Sequence, residues 1–514
     1  YYNATKAQEN LCREPITPSR NATSGRRQGM DADTILKVKP SLTRYLHEFD
    51  DCFGRVTARR HLDTYVLGQL GDLPRKSVEP IADASGTPPR TLQEFLSLFR
   101  WDETAMRDRL QQRVARRHAH PHTIGILDET SFVKKGRKTA CVQRQHCGAV
   151  GKTENCVVSV HLGYATPAFH TLLDGELYLP KQTWHEDRDR CRAAGIPDDV
   201  VYRPKWRIGV EQIRRARTNG IRFAWMTFDE GYGGKPPFLR ALDEMGQNYV
   251  GEVPCTFTAW TKRPEVLLRE HANRRMGRPR RFPRLKVKNN PPVEVRHIAS
   301  HSPRFRREDW QTYHVKDGHK GPQVWRAKRI AVWLKDEQGL PGAAHHLVVA
   351  RNVLESEKLK YFLCNAPQET PVETLLLVAL SRWKIERMFE DGKGELGMDH
   401  FEVRRFGSIR RHLILSCVSY LFLAEFHQAH RGEKPGLDDL PGSHGDTIPR
   451  AGVGSWGPVL PHARRTDQPV PGADAAPQRE GRAIPPQANH SPTACTRDVP
   501  GRPTHVSMEA FVAL

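Results

Sequence analysis

The sequence predicts an α/β protein with a helical region before the α/β layer and a β-rich insertion within it. Residues 31–118 carry apolar side chains at three- and four-residue spacing, which is typical of helices. Residues 119–254 alternate short strand-like runs with helical segments, the pattern of an α/β layer. Further strand-like runs fill residues 255–368, and helical spacing returns over residues 369–430. The last segment is therefore predicted to be the helical end of the α/β core.

The region of residues 31–118 is predicted to be a small helical domain. The runs SLTRYLHEF, ARRHLDTYVLGQL and TLQEFLSLF have helical spacing, and GDLP and SGTPPR separate them. A fourth run, WDETAMRDRLQQRVARRH, ends in a basic cluster.

Two carboxylates are predicted to end strands of the core. HTIGILDETSF alternates so that Ile124, Ile126 and Asp128 share one face, and we expect the strand to end at Asp128. CVVSVHLGYAT and HTLLDGELYLP follow as strands, and RFAWMTFDEGYGG ends a fourth strand at Asp229 and a glycine turn. PPFLRALDEMG is predicted to be a helix and NYVGEVP a strand. If the first and fourth strands are neighbours, the two carboxylates meet at one edge of the sheet.

The insertion is predicted to combine strands with a basic segment. VEVRHIA, VWRAKRIAVWL and HHLVVARNVL have strand-like composition. Between Lys262 and Lys288, eleven Lys or Arg face two Glu. The stretch GRPRR, with Arg278, Arg280 and Arg281, is similar to segments that lie in a narrow DNA minor groove, and a solvated loop is the alternative.

Composition points to a polyanionic partner. The 514 residues include 80 Lys and Arg against 59 Asp and Glu, a formal charge of +21, so we expect binding to nucleic acid rather than only improved solubility. No run of about 18 apolar residues predicts a membrane span. Residues 1–30 and the tail at 431–514, which has 13 Pro and 10 Gly, are predicted to be disordered. Ten cysteines without a CxxC pair favour reduced thiols in a cytoplasmic protein. A zinc site at Cys141, His146, Cys147 and Cys156 matches no usual spacing.

A third carboxylate is predicted on the helix RWKIERMFEDGKGELG. At 100° per residue, Arg382, Glu386, Glu390 and Lys393 fall along one stripe beside an apolar stripe, so Glu386 lies on the rim of the buried face. Three convergent carboxylates suit two Mg²⁺ or Mn²⁺ ions that cut phosphodiester bonds. Arg382 and Lys393 would hold phosphates.

Each acid also has an ordinary structural alternative. Asp128 would cap a turn, Asp229 would stabilise the glycine turn, and Arg382 with Glu386 would form an i, i+4 pair on the helix surface. The three acids occur together on a strongly basic chain, which favours the catalytic interpretation.

Several blocks resemble a known family, in order along residues 33–430. ILDETSFVKKG, QHCGAVGKTENCVVSV, FDEGYG and RWKIERMFEDGKGELGMDHFEVRRF are similar to the DDE transposases of bacterial insertion sequences, in the branch with a β-rich insertion before the last Glu. The resemblance implies a ribonuclease H-like core with Asp128, Asp229 and Glu386 as the metal-binding triad. It also implies double-stranded DNA as partner, at element ends and target, bound by a homodimer. Lys134 and Lys135, in the first block, are further predicted DNA contacts.

One signature of related transposases is matched in three of four positions. The YREK pattern requires Tyr, Arg, Glu and Lys at fixed spacing, and Arg382, Glu386 and Lys393 fit it, whereas Ala379 stands at the Tyr position. The predicted function is a transposase that cuts at its element ends and joins 3′ ends to target DNA. The alternatives are a metal-dependent nuclease without strand joining and an inactive DNA-binding remnant.

Overall fold

The computed structural model describes residues 32–267, 282–318 and 321–430, and within them the chain is a mixed α/β protein. The coarse α/β prediction is therefore confirmed. The two ends that were predicted to be disordered lie outside the described residues, as do Arg278, Arg280 and Arg281.

The first helices follow the predicted helical region. Their bounds are α1 Ala32–His47, α2 Val56–Leu70, α3 Val78–Ser85, α4 Pro89–Ser97 and α5 Glu103–Arg117, with one 3₁₀ turn at Asp50–Cys52. Helix α5 begins where the Asp102 carboxylate accepts hydrogen bonds from the amides of Thr104 and Ala105, both at 2.9 Å. Helix α3 ends at Gly86, whose φ of 64° lies in the left-handed region that favours glycine. The four predicted helices are observed, and α3 is an additional one.

One five-stranded sheet carries the first two predicted acids. Its strands are β1 Ile124–Val133, β2 Gln143–Cys147, β3 Lys152–Ala165, β4 His170–Leu177 and β5 Trp225–Phe228. Strand β3 pairs antiparallel with β1 on one side and with β2 and β4 on the other, and β5 runs parallel to β1.

The prediction that the first strand ends at Asp128 is wrong. Strand β1 continues to Val133 because its pairing with β3 extends to the Val133–Cys156 pair. Only its pairing with β5 stops early, at Leu127 and Phe228. Asp128 therefore lies in the middle of a long strand, just past the point where the parallel neighbour ends.

Four helices and strand β6 connect the first sheet to a second five-stranded sheet. Helices α6 Arg188–Ala193, α7 Lys205–Thr218, α8 Glu230–Gly233 and α9 Pro236–Glu244, with a π turn at Lys181–His185, precede β6 Val250–Glu252. Strand β6 forms the edge of a second sheet of order β11-β12-β13-β14-β6, whose other strands are β11 Gln311–Gly318, β12 Gly321–Lys335, β13 Pro341–Asn352 and β14 Lys360–Cys364. An isolated parallel bridge between Met226 and Tyr249 joins the two sheets.

Smaller elements fill the rest of this segment. They are β7 Thr258–Ala259, β8 Val266–Leu267, β9 Arg284–Leu285, β10 Val293–Glu294, α10 Val295–His301 and α11 Pro303–Arg307. The predicted strand VEVRHIA is wrong after Glu294. The chain turns helical there because Val295 and Ile298, at a spacing of three, are the buried residues of α10.

The last helices are α12 Val372–Leu380, α13 Trp383–Gly394 and α14 Phe406–His430, in agreement with the predicted helical end. Helix α14 packs on β4 and on α2 and α4, so the N-terminal helices and the sheet share one buried core. In the described part of the chain, no helix combines the length and the apolar character needed to cross a membrane.

Two glycines allow the close packing that fixes β1 and β5. A Cβ on Gly209 of α7 would lie 2.4 Å from Leu127 Cδ2, and one on Gly251 of β6 would lie 1.9 Å from Phe228 Cε2. Larger residues at either position would displace the two strands that lead into Asp128 and Asp229.

Acid sensitivity is expected from His412, a buried residue of α14. Its ring is hydrogen-bonded to the Tyr65 hydroxyl at 2.8 Å, and burial lowers the pKa of His412 to about 4. In the unfolded chain the pKa is about 6.5. Unfolded chains thus take up a proton that the folded protein excludes, and stability is lost as pH falls from about 6.5 to about 4.

The expected contribution of His412 is about 3 kcal/mol, from the difference between the two pKa values. The measurement is the free energy of unfolding in urea between pH 7 and pH 4. His412→Gln should flatten this dependence. A slope identical to that of the unsubstituted protein would contradict the assignment.

Candidate active site

Asp128 in β1 and Asp229, just after β5, lie at the same level of two neighbouring parallel strands. Leu127 of β1 is in register with Phe228 of β5. Asp128 directly follows Leu127, and Asp229 directly follows Phe228. Neighbouring strands lie about 4.8 Å apart, and the two carboxylates are close enough for the charge of Asp229 to raise the pKa of Asp128. The Asp229 carboxylate also caps α8 by accepting a hydrogen bond from the Tyr232 amide at 3.3 Å.

Arg382 connects Asp128 with Glu386. Its Nη1 donates to Asp128 Oδ2 at 2.9 Å, and its Nη2 lies 2.9 Å from Glu386 Oε1. The ordinary i, i+4 pair of Arg382 and Glu386 is thus present, but the same guanidinium also contacts the sheet. An ion pair confined to the helix surface would not include Asp128. Because Arg382 contacts both carboxylates, Glu386 lies near the strand acids.

Helix α13 reaches this position because its apolar side packs on a glycine. Gly163 of β3 has no side chain, and a Cβ there would lie 3.0 Å from Met388 Sδ and 3.4 Å from Ile385 Cδ1. Ile385 and Phe389 are buried, as the apolar stripe predicted. Glu386, on the rim, keeps 59% of its side chain exposed.

The site holds more negative charge than Arg382 neutralises. Burial raises the pKa of Asp128 to about 7; Arg382 opposes this rise, and the charges of Asp229 and Glu386 add to it. Burial disfavours the charge on Arg382, yet Asp128, Glu386 and Asp229 together raise the pKa of its guanidinium. The arrangement therefore favours a further cation beside Asp128.

Asp128 and Asp229 fit a divalent metal ion, whereas Glu386 is held apart. Carboxylate oxygens are the ligands that Mg²⁺ and Mn²⁺ prefer, and the two aspartates offer them at the same level of neighbouring strands. No group of three His, Cys, Asp or Glu side chains in the described ranges is close enough to hold a metal ion together. At the predicted triad the reason is visible, because the Arg382 guanidinium lies between Asp128 and Glu386.

The predicted DNA-binding lysines are placed differently from one another. The ammonium of Lys134 donates to the carbonyls of Asp399 and Phe401 at 3.2 and 2.6 Å, and burial lowers the pKa of Lys134 to about 8. Lys393 donates to the carbonyl of Ser131 at 3.3 Å. Both ammonium groups are engaged within the protein, which is at odds with direct phosphate contact. Lys135 is exposed and remains a predicted DNA contact.

Three polar residues near the acids were missed in the sequence. Glu129 follows Asp128 and pairs with Lys205 at 2.6 Å, and Glu252, at the end of β6, adds to the raised pKa of Arg382. His161 is the β3 residue paired with Asp128, and burial lowers its pKa to about 3, so it is neutral. The Glu within the predicted strand NYVGEVP was a usable signal for Glu252. His161 follows only from the strand register.

Comparisons with known proteins identify the family of this chain. The family model described as DDE superfamily endonuclease matches residues 48–322, just over half of the chain. Asp128 and Asp229 lie within that match, and Glu386 lies beyond it. The chain is also 30% identical over 208 residues to the "Probable transposase for insertion sequence element IS701" of Microchaete diplosiphon, a match that covers 40% of this chain and 50% of the relative. The chain thus spans about half of the length of that relative. The family match over more than half of the chain shows that this chain belongs to the DDE superfamily endonucleases.

Proposed function

We propose that the protein is a DNA transposase whose catalytic carboxylates are Asp128, Asp229 and Glu386. The observation that supports this most directly is the contact of one guanidinium with Asp128 and Glu386, next to Asp229. The sheet order β4-β3-β1-β5, continued by the bridge to Tyr249 before β6, suits a ribonuclease H-like core. Residues 31–118 would be the helical DNA-binding domain, and residues 255–368 the β-rich insertion.

Asp128 and Asp229 would hold divalent metal ions, with Glu386 completing the set. Two bound Mg²⁺ or Mn²⁺ ions would activate the attacking oxygen and stabilise the leaving oxygen of the phosphodiester. For Glu386 to take part, its carboxylate has to leave Arg382. Released from both acids, the Arg382 guanidinium is placed to bind a phosphate of the cut strand through two parallel hydrogen bonds.

The substrate would be double-stranded DNA at the ends of the mobile element and at the target. The charge of +21 favours phosphate binding, and a homodimer on DNA would bring two ends together. This substrate would place the protein at the nucleoid. The similarity to a probable transposase supports strand joining in addition to cleavage.

The proposal is tested by cleavage and joining of a plasmid that carries the DNA flanking the reading frame. Asp229→Asn should lower Mg²⁺-dependent cleavage by at least about 100-fold, because several kcal/mol of charge stabilisation are lost. Asp198→Asn is the matched control, since Asp198 is 73% exposed and lies in a surface ion pair.

Each alternative gives its own result in this assay. Cleavage that yields no joined product would favour the alternative of a nuclease without strand joining. DNA binding with no cleavage in Mg²⁺ or Mn²⁺ would favour the alternative of an inactive DNA-binding remnant. Equal cleavage by the Asp229→Asn and Asp198→Asn proteins would remove Asp229 from the site.

A further inference from the structure

A fourth carboxylate, that of Glu252, lies at the level of the strand acids. Strand β6 follows a parallel bridge between Met226 and Tyr249, and the amide of Met226 donates to the carbonyl of Asn248 at 2.8 Å. Three residues beyond that bridge, the chain reaches Asp229 on one side and Glu252 on the other. Parallel neighbours advance together by about 3.3 Å per residue, so Glu252 comes level with Asp229.

One short helix fixes both of these acids. Asp229 is the N-cap of α8, and α8 packs on β6. The packing is close, because a Cβ on Gly233 of α8 would overlap the carbonyl oxygen of Glu252. The position of Glu252 relative to the candidate active site is therefore set by the backbone.

The charge of Glu252 reaches Arg382. Burial disfavours the charge on the guanidinium, yet the carboxylates around it raise the pKa of Arg382 above its ordinary value, and Glu252 is one of them. Asp128 and Glu386 contact the guanidinium directly. Glu252 is therefore a carboxylate near Arg382 that lies outside the proposed metal set.

Glu252 can accept hydrogen bonds from a second cation. The Lys360 ammonium donates to its two oxygens at 2.9 and 3.1 Å. A carboxylate has about four lone-pair sites, so room remains for another donor. The Glu252 side chain is 20% exposed. A planar guanidinium suits such a site, because it presents its donors in a fixed fork.

We infer that Glu252 is a positioning residue, which holds the Arg382 guanidinium once divalent ions have displaced it from Asp128. The inference rests on the proposed function, which requires Arg382 to leave both Asp128 and Glu386. An unpaired guanidinium in a partly buried site would repel the incoming ions. Contact with Glu252 keeps this charge paired and frees Asp128 and Glu386 together. A phosphate of bound DNA would then take the place of Glu252.

The test is thermal unfolding of the full, DNA-free chain at increasing Mn²⁺ concentration. An ion that binds only the folded state raises the melting temperature, which gives an apparent Kd. Glu252→Gln should raise this Kd at least about fivefold, because the displaced arginine has lost its acceptor. Lys360→Gln should lower the Kd at least about twofold, because Glu252 without its ammonium attracts a guanidinium more strongly.

The two variants are matched, because both lose the ion pair of Glu252 with Lys360. If this pair only supports the fold, the two substitutions should change the Kd for Mn²⁺ in the same direction, and that result would overturn the inference. Arg382→Ala adds a second check. In this background Glu252→Gln should leave the Kd unchanged, since the residue through which Glu252 acts is gone. A fivefold loss that persists there would mean that Glu252 acts on the ion directly, which also contradicts the inference.

Asp229→Asn separates failure of the inference from failure of the proposed function. It should reduce the Mn²⁺ response to that of ions bound elsewhere on the protein. If Asp229→Asn responds to Mn²⁺ like the unsubstituted protein, the strand acids hold no ion, and the inference fails together with the proposed metal site. If Asp229→Asn loses the response while Glu252→Gln and Lys360→Gln match the unsubstituted protein, the inference alone is wrong.

Discussion

Glu386→Gln is expected to lower Mg²⁺-dependent DNA cleavage by at least about 100-fold while DNA affinity and thermal stability stay close to those of the unsubstituted protein. The substitution keeps the size of the side chain but removes a charge that the proposed metal site needs. Stability should change by about 1 kcal/mol or less, because the ion pair of Glu386 with Arg382 lies at a largely exposed carboxylate. The measurements are nicking of a plasmid that carries the flanking DNA, and thermal unfolding.

Glu390→Gln is the matched control for this experiment. Glu390 lies one turn further along α13, is 73% exposed and pairs with Arg387 at 3.2 Å. Both glutamates are therefore exposed members of intrahelical pairs, and they differ in that the arginine of Glu386 also contacts Asp128. If the two variants cleave equally well, Glu386 is an ordinary surface residue. An inactive Glu390→Gln protein beside an active Glu386→Gln protein would move the third ligand by one turn.

Arg382→Ala is expected to destabilise the metal-free protein in a pH-dependent way. Asp128 has a folded pKa already raised to about 7 by burial, and the loss of the neighbouring cation raises it further. A carboxyl with a raised folded pKa takes up a proton more readily in the folded state, so stability falls as pH rises from about 4 through that pKa. The cost of the substitution should thus be small at pH 5 and reach about 3 kcal/mol at pH 9, where Asp128 is ionised without its partner.

The same variant should respond more strongly to divalent ions. In the unsubstituted protein, an ion at Asp128 competes with the Arg382 guanidinium, and the alanine removes this competitor. Mn²⁺ should therefore raise the melting temperature of Arg382→Ala more than that of the unsubstituted protein, because an ion that binds only the folded state stabilises it. Arg382→Lys should be intermediate, since a compact ammonium is not shaped to contact two carboxylates at once. An equal Mn²⁺ shift in all three proteins would show that Arg382 does not compete for the site.

The sequence by itself determined the α/β character, most of the helices, and the identity of the strand acids as candidates. Periodicity is a local property, so the helix of Glu103–Arg117 and the strand that carries Asp128 were visible without a structure. The runs of β12 and β13 were predicted for the same reason. Local pattern failed at VEVRHIA, where the partners that bury Val295 and Ile298 decide between strand and helix.

Only the tertiary structure decided which charges meet. The register of β1 with β5 puts Asp128 beside Asp229. The packing of α13 against Gly163 of β3 brings Arg382 to Asp128. The same packing turned Lys134 inward, away from the role that its position in the chain suggested. Residues far apart in sequence are brought together by non-local pairing, which leaves no periodic signal. The physical reason is that an ion pair needs two atoms within about 4 Å, whereas sequence spacing fixes direction along one element only.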